Sequence, residues 1–371
     1  MTSIPMNDLR RRYARHEAEL SSVALDVLAS GYWINGPRTA AFCRDFAAAT
    51  GVAHCVGVAN GSDALEIALR CLVTNPARRE VVTVANAGGY TTTACRLIGL
   101  TPVYVDIEER SQLIDIDHAV AGVGPATGAV VVTHLYGGLV DVPALRAALD
   151  TAGHADVPVI EDCAQAHGLR GCEAGAGAFG ELATFSFYPT KNLGALGDGG
   201  AIVTGDTELA ARVAQLRMYG WGGKYDVVTA GGRNSRLDEL QAALLSALLP
   251  HVDADNERRR EIIARYAAAA VAGTAIVSSP HGTVGHLAVM LADDRDRLET
   301  HLRERGVSTD IHFPILDCDQ AGWATGDQRI GPGGLDISRR SVKRILSVPC
   351  FPEMTDDEVA QVCDALRSYS A

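Results

Sequence analysis

Of the 33 lysine and arginine side chains in this 371-residue sequence, only Lys191, Lys224 and Lys343 are lysines. Lys191 lies in SFYPTKNLGALGDGG, residues 186–200, just after a run that reads as a strand and just before a glycine-rich loop. Arginine would supply charge there equally well, but it stays protonated. Only an amine can shed its proton when desolvated and then condense with a carbonyl to form an imine. A lysine taken in isolation is usually a surface side chain, so the case for chemistry rests on its companions.

Three other segments supply them. In VANGSDALEIAL, residues 58–69, Asn60 and Gly61 form a turn, and Ser62-Asp63 open a helix. Free N–H groups and a small hydroxyl at a helix start can seat a phosphate; an ordinary Ser or Asp cap is the competing reading. VPVIEDCAQAHG, residues 157–168, ends an apolar strand in Glu161-Asp162. That puts a carboxylate at the carboxyl edge of a parallel sheet, where it could face a protonated pyridine nitrogen or pair with one of the many arginines. In GGYTTTA, residues 88–94, Tyr90 starts a helix near the same edge and could lie flat on a ring or pack in the core. Together these are the fittings of pyridoxal phosphate: a phosphate cup, a stacking aromatic, an acid for the ring nitrogen and a lysine for the aldehyde.

The elements that must position these groups alternate. Strand candidates at 81–84, 101–107, 128–137, 157–163, 183–188 and 200–205 are separated or followed by helical patterns at 62–73, 91–99, 143–153 and 207–217. Apolar strands alternating with helices predict an α/β fold with a mostly parallel sheet covered on both faces. After Pro250 the rhythm changes to a long polar helix and then mixed elements. We therefore divide the chain into a large domain, 1–250, with an N-terminal arm, and a smaller α+β domain, 251–371. The stretch TGDQRIGPGGLD, 325–336, reads as a long loop. GAGAFG, 175–180, matches a dinucleotide-binding fingerprint, with Asp198 downstream as the ribose acid, but it precedes a strand instead of following one.

Bulk properties narrow the partners. A hydrophobic content of 47% over this length supports a large core. The net charge of −12 argues against a general nucleic-acid or anionic-membrane surface and leaves a small molecule or another protein. Nine cysteines, at 43, 55, 71, 95, 163, 172, 318, 350 and 363, have spacings that suit neither a disulfide framework nor a zinc or other metal site. They read as buried thiols in a reducing compartment. The charged N-terminus lacks the apolar core of a signal peptide and no run is long enough to span a bilayer, so the expectation is a cytoplasmic protein.

The segments GVANGSDALEIAL, TPVYVDI, HLYGGLVDV, IEDCAQAHG, FSFYPTKNLGALGDGGAIVT and GRNSRLDELQAALL resemble the DegT/DnrJ/EryC1/StrS family of sugar aminotransferases, from about Gly31 to the last helix. The resemblance implies the aspartate-aminotransferase type I fold and a homodimer with shared active sites. It implies that Lys191 carries the covalent link to pyridoxal phosphate (PLP) and acts as general base, and that Asp162 pairs with the pyridinium nitrogen. Tyr90 would stack on the ring and Gln165 approach its phenolic oxygen. Gly61, Ser62 and Ser186 would hold the phosphate, joined by Asn234 of the neighbouring subunit. The implied reaction is a ping-pong transfer from L-glutamate to a ketone on a nucleotide-linked deoxysugar, in aminosugar or antibiotic biosynthesis.

Substrate contacts are expected from Lys224 and Tyr225, Arg236, His312 in HFP, and Tyr32, Trp33 and Asn35 in GYWINGP. For Arg236 an ion pair with Asp238 or Glu239 is the plain alternative. HLYG, 134–137, resembles members acting on 3-keto sugars, with 4-keto sugars as the alternative. A dehydratase of the same family carries histidine at the lysine position, so Lys191 argues against it; a cofactor-binding regulatory protein is the remaining class. Two departures from the family pattern stand out: Ala288 replaces an aromatic, and VANAGGY has extra glycines before the stacking tyrosine.

Overall fold

The computed structural model describes residues 3–170 and 175–370. Cys172 lies outside the described residues; the other eight cysteines are free thiols.

Runs such as TGAVVVT, in which every residue is buried, have no polar face to offer water and so form strands covered on both sides. In chain order the strands of the main sheet are β1 (His54–Val58), β2 (Glu80–Val84), β3 (Thr101–Val105), β4 (Thr127–Thr133), β5 (Val159–Asp162), β6 (Leu182–Ser186) and β7 (Gly200–Thr204). They lie side by side as β1-β7-β6-β5-β4-β2-β3, with the short strand Arg329–Ile330 beyond β3. Every pairing is parallel except the two made by β7. The pleat sends Val82, Val130 and Val132 to one core and Val81, Ala129 and Val131 to the other.

Four helices matter for the site: α1 (Leu9–Ser30), α2 (Pro37–Thr50), α3 (Gly61–Leu72) and α4 (Tyr90–Leu97). α3 buries Ala64, Leu65, Ile67, Ala68 and Leu69 against the sheet, which fixes where its N-terminus points. The C-terminal part of the chain builds an antiparallel three-stranded sheet, Thr274–Ile276, Ala288–Ala292 and Ile345–Val348, packed with helices Val252–Ala269, Arg295–Glu304 and Asp356–Arg367. Ile4 is buried in that core, and its backbone pairs with the segment around Val307. Among the described residues no helix is long and apolar enough to cross a membrane.

Two expectations need correction, and one strand goes unread in the sequence. The strand expected over 128–137 stops at Thr133, and Leu135–Gly137 is a 3-10 turn in which Tyr136 has φ 58°. The stretch 325–336 is not wholly loop, because Arg329 and Ile330 pair with Val103 and Tyr104 of β3. Two exposed residues held by backbone pairing leave no periodicity to read. β1 has no counterpart in the sequence reading: HCVGV is short and only partly buried.

Candidate active site

The carboxyl ends of the parallel strands converge on a cavity of about 630 Å³. Gly61, Ser62, Tyr90, Asp162, Gln165, Ser186, Lys191 and His312 all line it. Asp162 and Ser186 are the last residues of β5 and β6; Tyr90 and Gly61 are the first of α4 and α3.

At one end, Asn60 caps α3 by accepting the Asp63 N–H at 2.8 Å. The cap reading of the sequence thus falls to Asn60, leaving the Ser62 hydroxyl without an intramolecular bond among those described. Gly61 is required by proximity: a Cβ there would lie 2.6 Å from Cβ of Ser186. The missing carbon brings the Ser186 hydroxyl beside the helix N-terminus, a cradle suited to a phosphate.

The floor is set by Asp162. Its carboxylate accepts from Ala164 N–H at 3.1 Å and from the Thr133 hydroxyl at 3.5 Å, few partners for a buried acid. Burial pushes its pKa up, against the pull of the Ala164 amide and Lys191. A cationic N–H is the partner such a group lacks. Burial lowers the Lys191 amine to about 8, with Asp162 opposing. An amine poised near neutrality can both condense with an aldehyde and carry a proton.

Glu161, one residue earlier on the strand, points to the opposite face. It is buried against His134 at 2.9 Å and also accepts N–H groups of Gly177, Phe179 and Gly180 at 2.7 to 2.9 Å. The fingerprint-like GAGAFG loop therefore wraps an internal carboxylate. His134 takes the Val140 N–H on Nδ1, so its Nε2 carries the proton donated to Glu161. Neither residue lines the cavity.

Gln165 accepts the Tyr136 N–H on Oε1 at 2.6 Å, which leaves its NH₂ to donate into the cavity. The Tyr136 hydroxyl in turn donates to the backbone oxygen of His312. His312 is held through Nδ1 by the Ser347 hydroxyl at 2.8 Å, and burial lowers its pKa despite Asp310. Tyr90 is half exposed toward the cavity and meets Phe313 edge-on at 6.2 Å. The extra glycines before it have φ of 79° and 83°, and side chains there would strike Phe313 (2.9 Å) and Trp323 (2.6 Å).

The remaining expected residues sit elsewhere on this chain. Asn234 is exposed, its backbone bridged to Met218. Tyr32 and Trp33 are exposed, and Asn35 accepts a bond from Arg217 at 3.1 Å. Lys224 lies 5.1 Å over the ring of Tyr225 on the exposed hairpin of Trp221–Gly223 and Asp226–Val227. The alternative ion pair of Arg236 is not formed among the described residues; Glu239 instead accepts the N–H groups of Gly36, Arg38 and Thr39 at the start of α2. Sequence reasoning missed Asn7, Tyr188, Asp310 and His286 in the cavity wall. His286 alone had a visible signal, since it precedes the Ala288 departure.

Cradle, under-satisfied acid, buried amine and amide donor match a phosphorylated pyridine aldehyde group for group, on a sheet with a single antiparallel strand among those described. The fold and the site define a PLP-dependent enzyme of the aspartate-aminotransferase fold type. The chain belongs to the DegT/DnrJ/EryC1/StrS aminotransferase family, whose family model matches residues 15–367. It is 38% identical to the dTDP-3-amino-3,4,6-trideoxy-alpha-D-glucose transaminase of Micromonospora megalomicea subsp. nigra, over 96% of each chain. It is 38% identical to the dTDP-3-amino-3,6-dideoxy-alpha-D-galactopyranose transaminase of Aneurinibacillus thermoaerophilus, over 99% of each. The crystal structure of S. venezuelae DesV in complex with a ketimine intermediate superposes with a TM-score of 0.93 at 37% identity, covering 99% of this chain and 98% of that one.

Proposed function

We propose that the protein moves an amino group from L-glutamate to C3 of a nucleotide-linked 3-keto-6-deoxyhexose, in two half-reactions with ping-pong kinetics, during deoxyaminosugar biosynthesis. One observation carries the reading: the buried amine of Lys191, lowered to about 8, shares a cavity with the buried carboxylate of Asp162. Bound PLP supplies an electron sink for the pair released when the substrate Cα–H bond breaks. With PLP bound, Asp162 would keep the ring nitrogen protonated, Lys191 would serve as the base that moves the substrate Cα proton, and Gln165 would donate to the phenolic oxygen. Gly61, Ser62 and Ser186 hold the phosphate, and Tyr90 covers the ring.

The choice of C3 is supported by the names of the two curated relatives, both 3-amino sugar transaminases. It draws support also from the HLYG turn, whose Tyr136 backs both Gln165 and His312. We read the assembly as a homodimer in which Asn234, Lys224, Tyr225, Arg236 and the Tyr32–Asn35 segment of one subunit serve its partner's cavity. Leu25, Leu28, Tyr32 and Trp33 are all more than half exposed, apolar area that a second copy would cover. We keep the division at residue 250, and the free thiols favour a cytoplasmic setting.

The test is to incubate the purified protein with glutamate and a panel of dTDP-linked 3-keto and 4-keto deoxysugars, following 2-oxoglutarate. Product from 3-keto sugars alone is expected, and Lys191→Ala should yield none. Product only from 4-keto sugars overturns the regiochemistry; turnover by Lys191→Ala overturns the mechanism.

A further inference from the structure

The first helix carries three arginines, Arg11, Arg12 and Arg15, with different tasks. Arg11 and Arg15, four residues apart on one face, bind the C-terminal part of the chain. Arg11 grips Glu358 with both terminal nitrogens, each on its own oxygen at 2.7 Å, and Arg15 shares its Nη2 between the two Asp255 oxygens, also at 2.7 Å. Arg12 points about 100° around the helix from Arg11 and forms no ion pair among the described residues. Its Nη1 donates to the backbone oxygens of Pro189 and Lys191, both at 3.2 Å, and its Nη2 to that of Asn192 at 3.4 Å. These carbonyls belong to the turn that carries the reactive amine, and no other donor to them is found among the described residues.

We propose that Arg12 is a positioning residue for Lys191, its guanidinium tying the three carbonyls of the turn so that the amine is held in the buried cavity. The inference rests on Lys191 being the reactive amine. A partly buried cation whose partners are backbone oxygens is poor value for stability alone, because burial disfavours its charge and a carboxylate would satisfy it better. Its geometry suits orientation: the planar fork reaches several acceptors at once, which the point charge of a lysine cannot do. The turn has little slack, since the Lys191 N–H already bonds Tyr188 O at 2.8 Å. The helix is anchored at both ends of this stretch. Arg11 and Arg15 fix it to the C-terminal elements, while Met6 and Asn7 just before it line the cavity.

The test compares Arg12→Ala and Arg12→Lys with Arg11→Ala, which removes an ion pair on the same helix without touching the turn. In cofactor-free protein, Lys191 is labelled with limiting trinitrobenzenesulfonate across a pH series. The other lysines, Lys224 and Lys343, serve as internal references. Arg12→Ala should move the labelling midpoint of Lys191 upward by roughly half a unit or more, because a slack turn lets the amine reach water. In the holoenzyme kcat should fall about 10- to 100-fold with KM for both substrates little changed, Arg12→Lys lying between. Arg11→Ala should lower the melting temperature and leave the midpoint alone. An unchanged midpoint in both Arg12 variants, or the same shift in Arg11→Ala, overturns the inference. Should Arg12→Ala not fold, the comparison of Arg12→Lys with Arg11→Ala decides. Full turnover by Lys191→Ala would instead remove the functional reading beneath it.

Discussion

The side-chain oxygen of Gln165 takes the backbone N–H of Tyr136 at 2.6 Å, and this fixes which end of the amide faces the cavity. Tyr136 needs that acceptor because its φ of 58° turns its N–H away from any strand partner. The turn thereby converts an ambiguous amide into an oriented donor. Gln165→Glu keeps the acceptor for Tyr136 but removes the donor, so it should fold normally and bind PLP about tenfold more weakly, the loss expected for one charge-assisted hydrogen bond. Gln165→Leu strands the buried N–H as well and should also cost about 1–3 kcal/mol of stability. Urea unfolding of cofactor-free protein separates the two effects. Equal destabilisation by both variants would contradict the assigned orientation.

Lys191 makes the cofactor-free protein pay for its function in a pH-dependent way. Burial takes its pKa from 10.5 to about 8, so below pH 8 the folded state holds a buried ammonium that the unfolded chain holds in water. Between pH 8 and 10.5 the unfolded chain binds more protons, and stability contributed by this group rises with pH. Lys191→Met should therefore be more stable than wild type near pH 7 by up to about 3 kcal/mol, less whatever Asp162 loses with its cation. The gap should close as pH climbs through this window. A difference independent of pH would show that the amine is not buried.

Glu161 and Asp162 show where the sequence stops being legible. Both are acids at the end of one apolar strand, and the sheet edge where they act follows from the alternation of strands and helices. Which acid faces the ligand is decided by the register of β5 and by the 175–180 loop, neither of which periodicity specifies. Lys191, Asp162 and Tyr90 are readable because each follows, closes or opens a recognisable element, whereas Ser186 is reached only through the family resemblance. Asn7 and Asp310 are not readable, because long-range packing brings them to the cavity from the N-terminal segment and from beside the C-terminal sheet. Gly88 and Gly89 stand out as departures in sequence, but their cause, the Phe313 and Trp323 rings, lies more than 200 residues away.

The opposite-facing acid gives its own prediction. Burial raises the Glu161 pKa, but hydrogen bonds from His134 and from the Gly177 and Gly180 amides outweigh it and hold the carboxyl below its usual range. Glu161→Gln would turn an NH₂ toward existing donors and should destabilise by about 2–4 kcal/mol. The advantage of wild type should be full above the ordinary glutamate value of 4.5 and fade as pH falls through the depressed one. Thermal melts from pH 7 down to about 2 would check this, because the fade lies below 4.5. A loss that persists unchanged in acid would mean that the charge is not what the loop binds.

The proposed shared site can be tested by mixing defects. In this chain Lys191 lines the cavity, while Asn234 is exposed and outside it. If Asn234 completes the partner's phosphate cradle, a hybrid of Lys191→Ala and Asn234→Ala subunits has one cavity with both defects and one with neither. By the two-fold symmetry of such a dimer, co-expressed variants should recover about a quarter of wild-type activity from two nearly inactive parents. Two cavities each complete within one subunit cannot do this, because every cavity in the mixture would then keep exactly the defect of its own chain. Activity no greater than the mean of the two parents would therefore assign Asn234 a role within its own subunit.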